Sequence, residues 1–254
     1  MLVTFVEEHR DIIEDIQKDF PDAQIMVLPN RGYDIGPFVH VINQVNLDEY
    51  SYVVKLHTKR NMKDGSWLYH VDVSGAKWRN YLLDFCQTQE NVHKCLMAFA
   101  QNEHLGMVAN YRLMTVDNHY DKEATQKAKQ LLLNLGLPVG QYGFVMGTMF
   151  MCRAQLLKPL KALNLKIDDF EEPQVDTQYS TLAHVIERLL GFLIYAQGYT
   201  IEDVITDHIR KHKFMDFLAQ IKMFIYRRKI DKRGNVSVKI CKIPLPKLWV
   251  NRRK

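Results

Sequence analysis

Short apolar runs alternate with helical periodicity along most of the chain, a rhythm typical of α/β folds. Strands are predicted at residues 2–6, 23–28, 50–57, 106–109 and 144–153, and helices at residues 10–19, 37–45, 76–85, 90–102, 123–135, 155–163 and 176–197, the last beginning in a loop. In open sheets of this kind a ligand binds outside the carboxyl ends of the strands. The residues that follow each strand are therefore the first candidates for a site.

A different pattern marks the C-terminal segment. Residues 214–229 carry apolar side chains at positions 214, 217, 218, 221, 224 and 225 and end in a basic cluster, which predicts an amphipathic helix. Such a helix packs on the body with its charges in water, or it adheres to an anionic membrane face. We therefore divide the chain into an α/β domain at residues 1–212 and a basic C-terminal helix and tail at residues 213–254.

Composition and charge fit this division. With 254 residues, 47% of them hydrophobic and 25% charged, the chain has the makeup of one large globular domain with an appendage. Residues 213–254 hold 13 of the 34 Lys and Arg and 2 of the 29 Asp and Glu, so the tail carries +11 and the body −6. The tail suits phosphates of lipid headgroups or of a polynucleotide, but the acidic body argues against nucleic acid as the partner.

Cysteine usage and apolar length predict the location. The four cysteines show no paired spacing, which indicates neither a disulfide framework nor a cysteine zinc site and fits a reducing cytosol. No secretory leader is visible, and the apolar stretch at residues 189–196 is too short to span a bilayer. We expect a cytoplasmic protein, or one peripheral on the inner face of the plasma membrane. His208 and His212 are four residues apart, but the basic residues between them oppose a bound metal.

The sequence VVKLHTKR at residues 53–60 ends the third predicted strand. Strand alternation puts Lys55, His57 and Lys59 on one face and the apolar side chains on the other. Three such groups repel one another unless an anion offsets them, and a bound diphosphate would do so. The alternative is an edge strand whose lysines face solvent and discourage aggregation. The valines and the leucine favour a central strand with its apolar face in the core.

The sequence NRGYDIGPF at residues 30–38 joins a predicted strand to a helix. Its glycines permit tight turns and close approach of a ligand, and Asp34 is a candidate cap of the helix. The alternative is an ordinary turn with a helix cap, and no nucleotide-binding fingerprint is matched.

The sequence FVMGTMFMCR at residues 144–153 reads as a core strand. Gly147 and Thr148 interrupt it, and a glycine inside a strand marks a bulge or a close approach. Arg153 at its end suits a bidentate grip on phosphate or carboxylate. We expect Arg153, the residues 30–34 and the residues 57–60 to share one edge of the sheet.

Asp176 precedes a helix that carries Thr181, His184 and Arg188 on one face, with Glu187 beside them. A carboxylate at that helix entrance suits a general base. The alternative is a helix cap followed by a structural ion pair.

Taken together, NRGYDIGPF, YVVKLHTKR, the Trp78-Arg79 pair, GMVA, FVMGTMFMCR and DTQYSTLAHVIERL resemble the rhamnan synthesis protein F family. These are glycosyltransferase-like proteins of bacterial cell-surface polysaccharide assembly, such as cell wall or O-antigen. The resemblance implies a Rossmann-like sheet of the GT-A glycosyltransferase type. Family members have another strand and helix before the point where this chain begins, so the donor site is expected to be incomplete or completed by a partner.

In that fold the strand ending here at His57 normally delivers an Asp-x-Asp metal site, whereas this chain has Lys55-Leu56-His57. The resemblance thus implies transfer with no cofactor and no divalent metal. Cationic groups would stabilise the leaving diphosphate instead, namely Lys55, His57, Lys59 and Arg153.

The resemblance also implies roles for single residues. Asp176 matches the acidic residue that deprotonates the acceptor, with Glu171 and Glu172 as substitutes, and His57 is the second catalytic candidate. The other substrate-binding candidates are Asp34, Gly147, Thr148, His184, Glu187 and Arg188, of which Arg188 is expected to contact the diphosphate.

We therefore expect a hexosyltransferase that moves rhamnose from dTDP-rhamnose to a lipid-linked saccharide at the cytoplasmic membrane face. The main alternative is a non-catalytic saccharide-binding or assembly protein of the same pathway. A third interpretation is a nucleic-acid module that uses the basic tail.

Overall fold

The computed structural model describes residues 1–6, 11–59, 61–64, 66–68, 71–116, 121–173, 180–206, 226–230, 236–240 and 243–244. The chain forms two compact units, residues 1–205 and residues 206–254. Within the described ranges, every helix is too short or too polar to cross a membrane.

The first unit is a mixed α/β structure, as the alternating pattern predicts. Its strands are β1 Leu2–Phe5, β2 Gln24–Val27, β3 Tyr52–Lys55, β4 Trp67–Leu68, β5 Val71–Asp72, β6 Leu105–Val108, β7 Met114–Val116, β8 Gly143–Val145, β9 Phe150–Arg153 and β10 Thr200–Glu202. Its helices are α1 Ile13–Asp19, α2 Ile35–Gln44, α3 Lys77–Leu83, α4 Gln89–Gln101, α5 Lys122–Asn134, α6 Lys158–Ala162 and α7 Leu182–Ala196. Each element predicted in this unit has a counterpart except the strand at residues 144–153, which is divided into β8 and β9, and the short strands β4, β5, β7 and β10 are additions.

A four-stranded sheet in the order β10-β6-β9-β3 forms the principal sheet of this unit. β10 runs parallel to β6, whereas β9 runs antiparallel to both β6 and β3. Val53 and Met107 both pair with Cys152, so β3 and β6 lie at the same level on either side of β9. The carboxyl ends of β3, β6 and β10 consequently meet at one edge of the sheet, the edge where β9 begins. β1 and β2 pair in parallel as a separate two-stranded sheet.

The core packs around α7, which is apolar on nearly all sides. Of its 15 residues, 11 are buried, as expected for a helix with apolar residues all round. Gly191 allows α7 to lie directly against β8, because a Cβ atom there would stand 2.5 Å from the Cα of Phe144. The aromatic side chains of Phe85, Phe99 and Phe150 complete the core between the sheet and the helices.

The single strand predicted at residues 144–153 is wrong. β8 and β9 are separate strands, joined by a turn in which Gly147 and Thr148 have φ values of 78° and 50°. β8 pairs with β7 and β9 lies in the principal sheet. The turn interrupts the apolar run at residues 144–153. It carries the backbone from the sheet formed by β7 and β8 to the principal sheet.

The second unit contains three antiparallel strands in the described part of the chain, β11 Tyr226–Ile230, β12 Val236–Ile240 and β13 Ile243–Pro244. The helix predicted over residues 214–229 is therefore wrong at Tyr226–Lys229, which lies in β11. Residues 214–225 of that prediction lie outside the described residues. The sequence YRRKI places three consecutive basic residues between Tyr226 and Ile230, so no alternation with a period of two indicated this strand in advance.

Candidate functional site

The loop between β2 and α2 delivers Asp34 to the carboxyl edge of the principal sheet. Gly32 and Tyr33 have φ values of 66° and 55°, and the Gly32 amide donates to the Glu171 carbonyl at 2.9 Å. A left-handed residue is easy for glycine and costly for tyrosine, so this loop is held by its surroundings. Asp34 stands at the N-cap of α2, but its side chain makes no capping hydrogen bond. The predicted capping role is therefore wrong.

The Asp34 carboxylate instead joins Lys55 and Thr148 in a closed triangle. Lys55 Nζ donates to Asp34 Oδ2 at 2.6 Å and to Thr148 Oγ1 at 2.9 Å. Thr148 Oγ1 donates to the same Asp34 oxygen at 2.6 Å. Three separate segments, the β2–α2 loop, the end of β3 and the β8–β9 turn, are thereby tied together.

The two faces of β3 are reversed relative to the prediction. Lys55 is 4% exposed and faces the interior, whereas Val54 and Leu56 are 49% and 51% exposed. In the described part of the chain β3 is also the terminal strand of its sheet and not a central one. The lysine can be buried because Asp34 neutralises its charge and Thr148 accepts a further hydrogen bond. Lys55 thus has a structural role in the site, because its ammonium already donates to Asp34 and Thr148.

The β8–β9 turn is held from the other side by Glu187. The Gly147 amide donates to Glu187 Oε1 at 2.8 Å. A Cβ atom at Gly147 would lie 2.8 Å from Leu82 and 2.9 Å from the indole of Trp78, so the turn requires glycine for space as well as for its φ of 78°. Thr148 is β-branched and still has a φ of 50°. Such a conformation is costly, and its position beside a polar cluster points to a functional constraint.

His57 and Asp34 are ionised differently at neutral pH. Burial lowers the pKa of His57 from 6.5 to about 4, opposed by the charge of Asp34 and assisted by those of Lys55 and Lys59, so its ring is neutral. Burial alone would raise the pKa of Asp34, but the charges of Lys55 and His57 and hydrogen bonds from Lys55 and Thr148 hold it well below its usual 3.8. Burial raises the pKa of Glu187, although the Gly147 amide and Arg188 oppose the shift.

Two buried polar groups in this region have no hydrogen-bond partner in the part of the chain that the structure describes. They are the His57 ring nitrogens and the Trp78 indole nitrogen. His57 Nδ1 approaches Asp34 Oδ2 to 3.3 Å without forming a hydrogen bond. The Lys59 ammonium lies 5.5 Å from the Trp78 ring centroid. Because buried polar groups are nearly always satisfied, these nitrogens are candidates for hydrogen bonds to a bound polar group, water included.

Arg153 is not part of this cluster, and the expectation that it shares the edge with His57 is wrong. It pairs with Tyr52 at the start of β3, at the opposite end from Lys55. Its guanidinium donates to the carbonyls of Phe99, Asn102 and Leu105 at 2.7 to 3.0 Å. The sequence-based error arose because β9 runs antiparallel to β3, so its carboxyl end lies at the far edge. Arg153 binds the end of α4, where carbonyls lack helical partners.

Arg188 is also engaged internally. Its Nη2 lies 3.7 Å from Asp121 Oδ2, with both side chains 5% exposed, and its Nη1 donates to the His184 carbonyl at 2.8 Å. The guanidinium stands 4.9 Å from the Phe144 ring centroid. The diphosphate contact expected of Arg188 therefore has no support in this arrangement. The ion pair that remained as the alternative is present, with Asp121 as its carboxylate.

Asp121 is a residue that the sequence reading missed. It caps α5 by accepting from the Ala124 amide at 3.0 Å, and it accepts from Ser180 at 2.7 Å. An Asp directly before a helical run is a recognisable N-cap signal, but its second role toward Arg188 depends on α5 packing against α7. His184 lies on α7 as predicted, with Nδ1 2.7 Å from Thr181 Oγ1.

Asp176 lies outside the described residues, so its role as base stays a prediction. Of its two substitutes, Glu171 accepts from the Leu182 amide at 3.0 Å and caps α7. Glu172 pairs with Arg31 at 3.2 Å. Both substitutes are thus occupied by structural contacts. Among the described residues, no group of three or more His, Cys, Asp or Glu side chains is arranged so that it could hold a metal ion.

The cluster combines hydrogen-bond donors with an Asp34–Lys55 pair whose charges offset each other. Asp34 and Lys55 cancel, the His57 ring can donate one N–H in its neutral form, and Lys59 supplies a positive charge. Such a lining suits a ligand rich in oxygen acceptors, and the turn at Gly147 lets that ligand approach the backbone closely.

Residues 1–199 match the family model described as rhamnan synthesis protein F. Two curated relatives, each named uncharacterized protein WxcX, come from Xanthomonas campestris pv. campestris strains B100 and ATCC 33913, and each is 28% identical over 196 residues. The alignment covers 76% of this chain and 27% of each relative, so the chain spans about a quarter of their length. No solved structure matches the chain significantly.

Proposed function

The chain belongs to the rhamnan synthesis protein F family, and from this premise we propose that it transfers a sugar from a nucleotide-diphospho-sugar to a saccharide in polysaccharide biosynthesis. We take dTDP-rhamnose as the donor and a lipid-linked saccharide as the acceptor, on a sheet of the GT-A type. One observation carries the proposal: among the described residues, the His57 ring and the Trp78 indole lack hydrogen-bond partners, with Lys59 beside them, at the carboxyl end of β3.

The donor diphosphate is assigned to His57 and Lys59. Lys59 makes no ion pair with the described residues, and its ammonium stands over an aromatic ring at the rim of the cluster. Lys55 is removed from the set of diphosphate ligands because its side chain is buried, Asp34 offsets its charge, and Asp34 and Thr148 accept from two of its three N–H donors. Its part is to hold the β8–β9 turn in place, so that Gly147 and Thr148 border the donor sugar.

The proposed reaction is a direct displacement at the anomeric carbon. The acceptor hydroxyl gives its proton to Asp176, and its oxygen forms the new bond to that carbon. The bond from the carbon to the diphosphate oxygen breaks, and the electron pair leaves with the diphosphate. Lys59 and the His57 N–H stabilise the charge that develops there, a role that a divalent metal fills in other transferases. Transfer without a metal is therefore part of the proposal.

The direct test is transfer of labelled rhamnose from dTDP-rhamnose to a lipid-linked saccharide by the purified chain. We expect turnover that persists in excess EDTA and falls at least 100-fold in Asp176→Asn, with Asp168→Asn, an exposed carboxylate, as the matched control. Absence of both transfer and donor hydrolysis contradicts the proposed enzyme. Activity lost in EDTA and restored by magnesium or manganese contradicts the metal-free mechanism alone.

The second candidate is a non-catalytic saccharide-binding or assembly protein. The Asp34–Lys55 pair favours it, because the mutual neutralisation leaves fewer free cations for a diphosphate than the strand sequence suggested. This candidate predicts binding of a rhamnose-containing oligosaccharide with no hydrolysis or transfer of the donor.

A further inference from the structure

Trp78 is an unusual core residue because its indole nitrogen has no hydrogen-bond partner among the described residues. The residue is 5% exposed and lies in the first turn of α3, and its Nε1 has no hydrogen-bond partner in the described part of the chain. An indole nitrogen is a donor only, and buried tryptophans usually find an acceptor. The Trp78 indole N–H is therefore a buried donor without a hydrogen-bond partner among the described residues.

The surroundings of Trp78 fix where this donor lies. The edge of its six-membered ring would stand 2.9 Å from a Cβ at Gly147, so the indole packs directly against the backbone of the β8–β9 turn. Thr148, the next residue, belongs to the triangle with Asp34 and Lys55. The Lys59 ammonium covers the ring at 5.5 Å. Trp78 is thus built into the same cluster as His57, although the sequence assigned it no role.

We propose that Trp78 is a further ligand-binding residue, whose Nε1–H donates a hydrogen bond to a diphosphate oxygen of the nucleotide sugar. This rests on the proposed function, which supplies the ligand. Lys59 and the indole both donate and neither accepts, so their common partner is an acceptor that carries negative charge. A phosphate oxygen meets both conditions, whereas a sugar hydroxyl meets only the first.

The indole is suited to this task because it is rigid. The contact with Lys59 stabilises the cation and keeps it near the ring. A donor fixed by packing loses little conformational entropy when a ligand arrives, so its hydrogen bond adds to affinity with little cost.

Calorimetric titration of the full chain with dTDP-rhamnose, dTDP and free rhamnose tests the inference. Trp78→Phe keeps an aromatic ring and removes the N–H. We expect its dissociation constants for dTDP-rhamnose and dTDP to rise about tenfold or more, as for loss of a hydrogen bond to a charged group. The melting temperature should fall modestly, because phenylalanine fills less of the buried volume than tryptophan does, although an unsatisfied buried donor has been removed. Phe85→Leu, a core change just beyond the end of α3, is the matched control: it should lower the melting temperature and leave both dissociation constants unchanged.

A second measurement keeps Trp78 in place, so it tests the inference even if the Trp78→Phe variant does not fold. The chain has 3 tryptophans, so a ¹H–¹⁵N spectrum shows three indole signals, which Trp67→Phe and Trp249→Phe variants assign. The Trp78 indole signal should shift on addition of dTDP. Wild-type binding of dTDP with no such shift, or with equal affinity in Trp78→Phe, overturns the inference and leaves the proposed function standing. Failure of the wild type to bind either nucleotide overturns both.

Discussion

Lys55 Nζ lies 2.6 Å from Asp34 Oδ2, and only 3% of the lysine side chain is exposed. Lys55, which the strand sequence predicted as a ligand-binding cation, therefore forms an ion pair within the protein. The pair ties the β2–α2 loop to β3, and through Thr148 it also holds the β8–β9 turn. The cost of burying both charges is offset only while both partners are present.

Asp34→Asn should therefore destabilise the fold strongly. It leaves the Lys55 ammonium buried without a counter-charge, and we expect the free energy of unfolding to fall by about 3 kcal/mol in urea titrations. The double variant Asp34→Asn/Lys55→Met should recover a good part of that loss. Asp168→Asn, at a carboxylate that is 81% exposed, should change stability by less than about 0.5 kcal/mol. An Asp34→Asn variant as stable as this control contradicts the structural role of the pair.

His57 predicts a defined pH window for stability. Its folded pKa of about 4 lies below its ordinary 6.5, so the unfolded chain binds more protons between these values and stability falls as pH drops through them. The loss across this window is of order 3 kcal/mol. We expect His57→Gln to flatten the loss between pH 6.5 and pH 4, measured by denaturation at a series of pH values. The stabilisation by Asp34 is lost at lower pH, since its folded pKa lies below 3.8.

Gly147 and Gly136 form a matched pair of left-handed glycines. Their φ values are 78° and 69°, but a Cβ at Gly147 meets Leu82 and Trp78 within 3 Å, whereas nothing lies within 4 Å of one at Gly136. Gly136→Ala should cost about 1 kcal/mol of backbone strain. Gly147→Ala should cost a further 1 to 3 kcal/mol, roughly, for the added crowding, and it should also weaken donor binding. Equal losses of stability for the two variants contradict the close packing of the turn against Trp78.

The Arg153→Met variant tests whether Arg153 stabilises the fold or binds phosphate. Three backbone carbonyls lose their donor, so we expect the free energy of unfolding to fall by about 2 to 4 kcal/mol. The dissociation constant for dTDP-rhamnose should not change under conditions where the variant is folded. A variant that is stable but binds the donor at least tenfold more weakly restores the original assignment.

Much of the fold was predictable because periodicity is a local property. The apolar runs at Leu2–Phe5 and Gln24–Val27 and the helical spacing at Lys122–Asn134 each identify their element without knowledge of the rest. The alternation of Lys55 and His57 along β3 was also readable. Which of the two faces turns inward was not, because that depends on Asp34, which lies 21 residues earlier in the chain.

The site was predictable in part for the same reason. Asp34, His57 and Thr148 do come together, since each follows or interrupts an apolar run. Arg153 was misplaced because composition does not reveal that β9 runs antiparallel to its neighbours. The role of Trp78 was invisible in the sequence, because an unpaired indole becomes evident only when the packing around Gly147 is known.

The most direct measurement is calorimetric binding of dTDP-rhamnose, in the presence of EDTA, to the wild type and to three variants. His57→Gln and Lys59→Met remove the two proposed diphosphate contacts, and Lys63→Met removes an exposed lysine four residues further on. We predict that the wild type and Lys63→Met bind equally, and that the other two bind at least about tenfold more weakly. Equal affinity in all four proteins, or no binding by the wild type, contradicts a donor site at the end of β3.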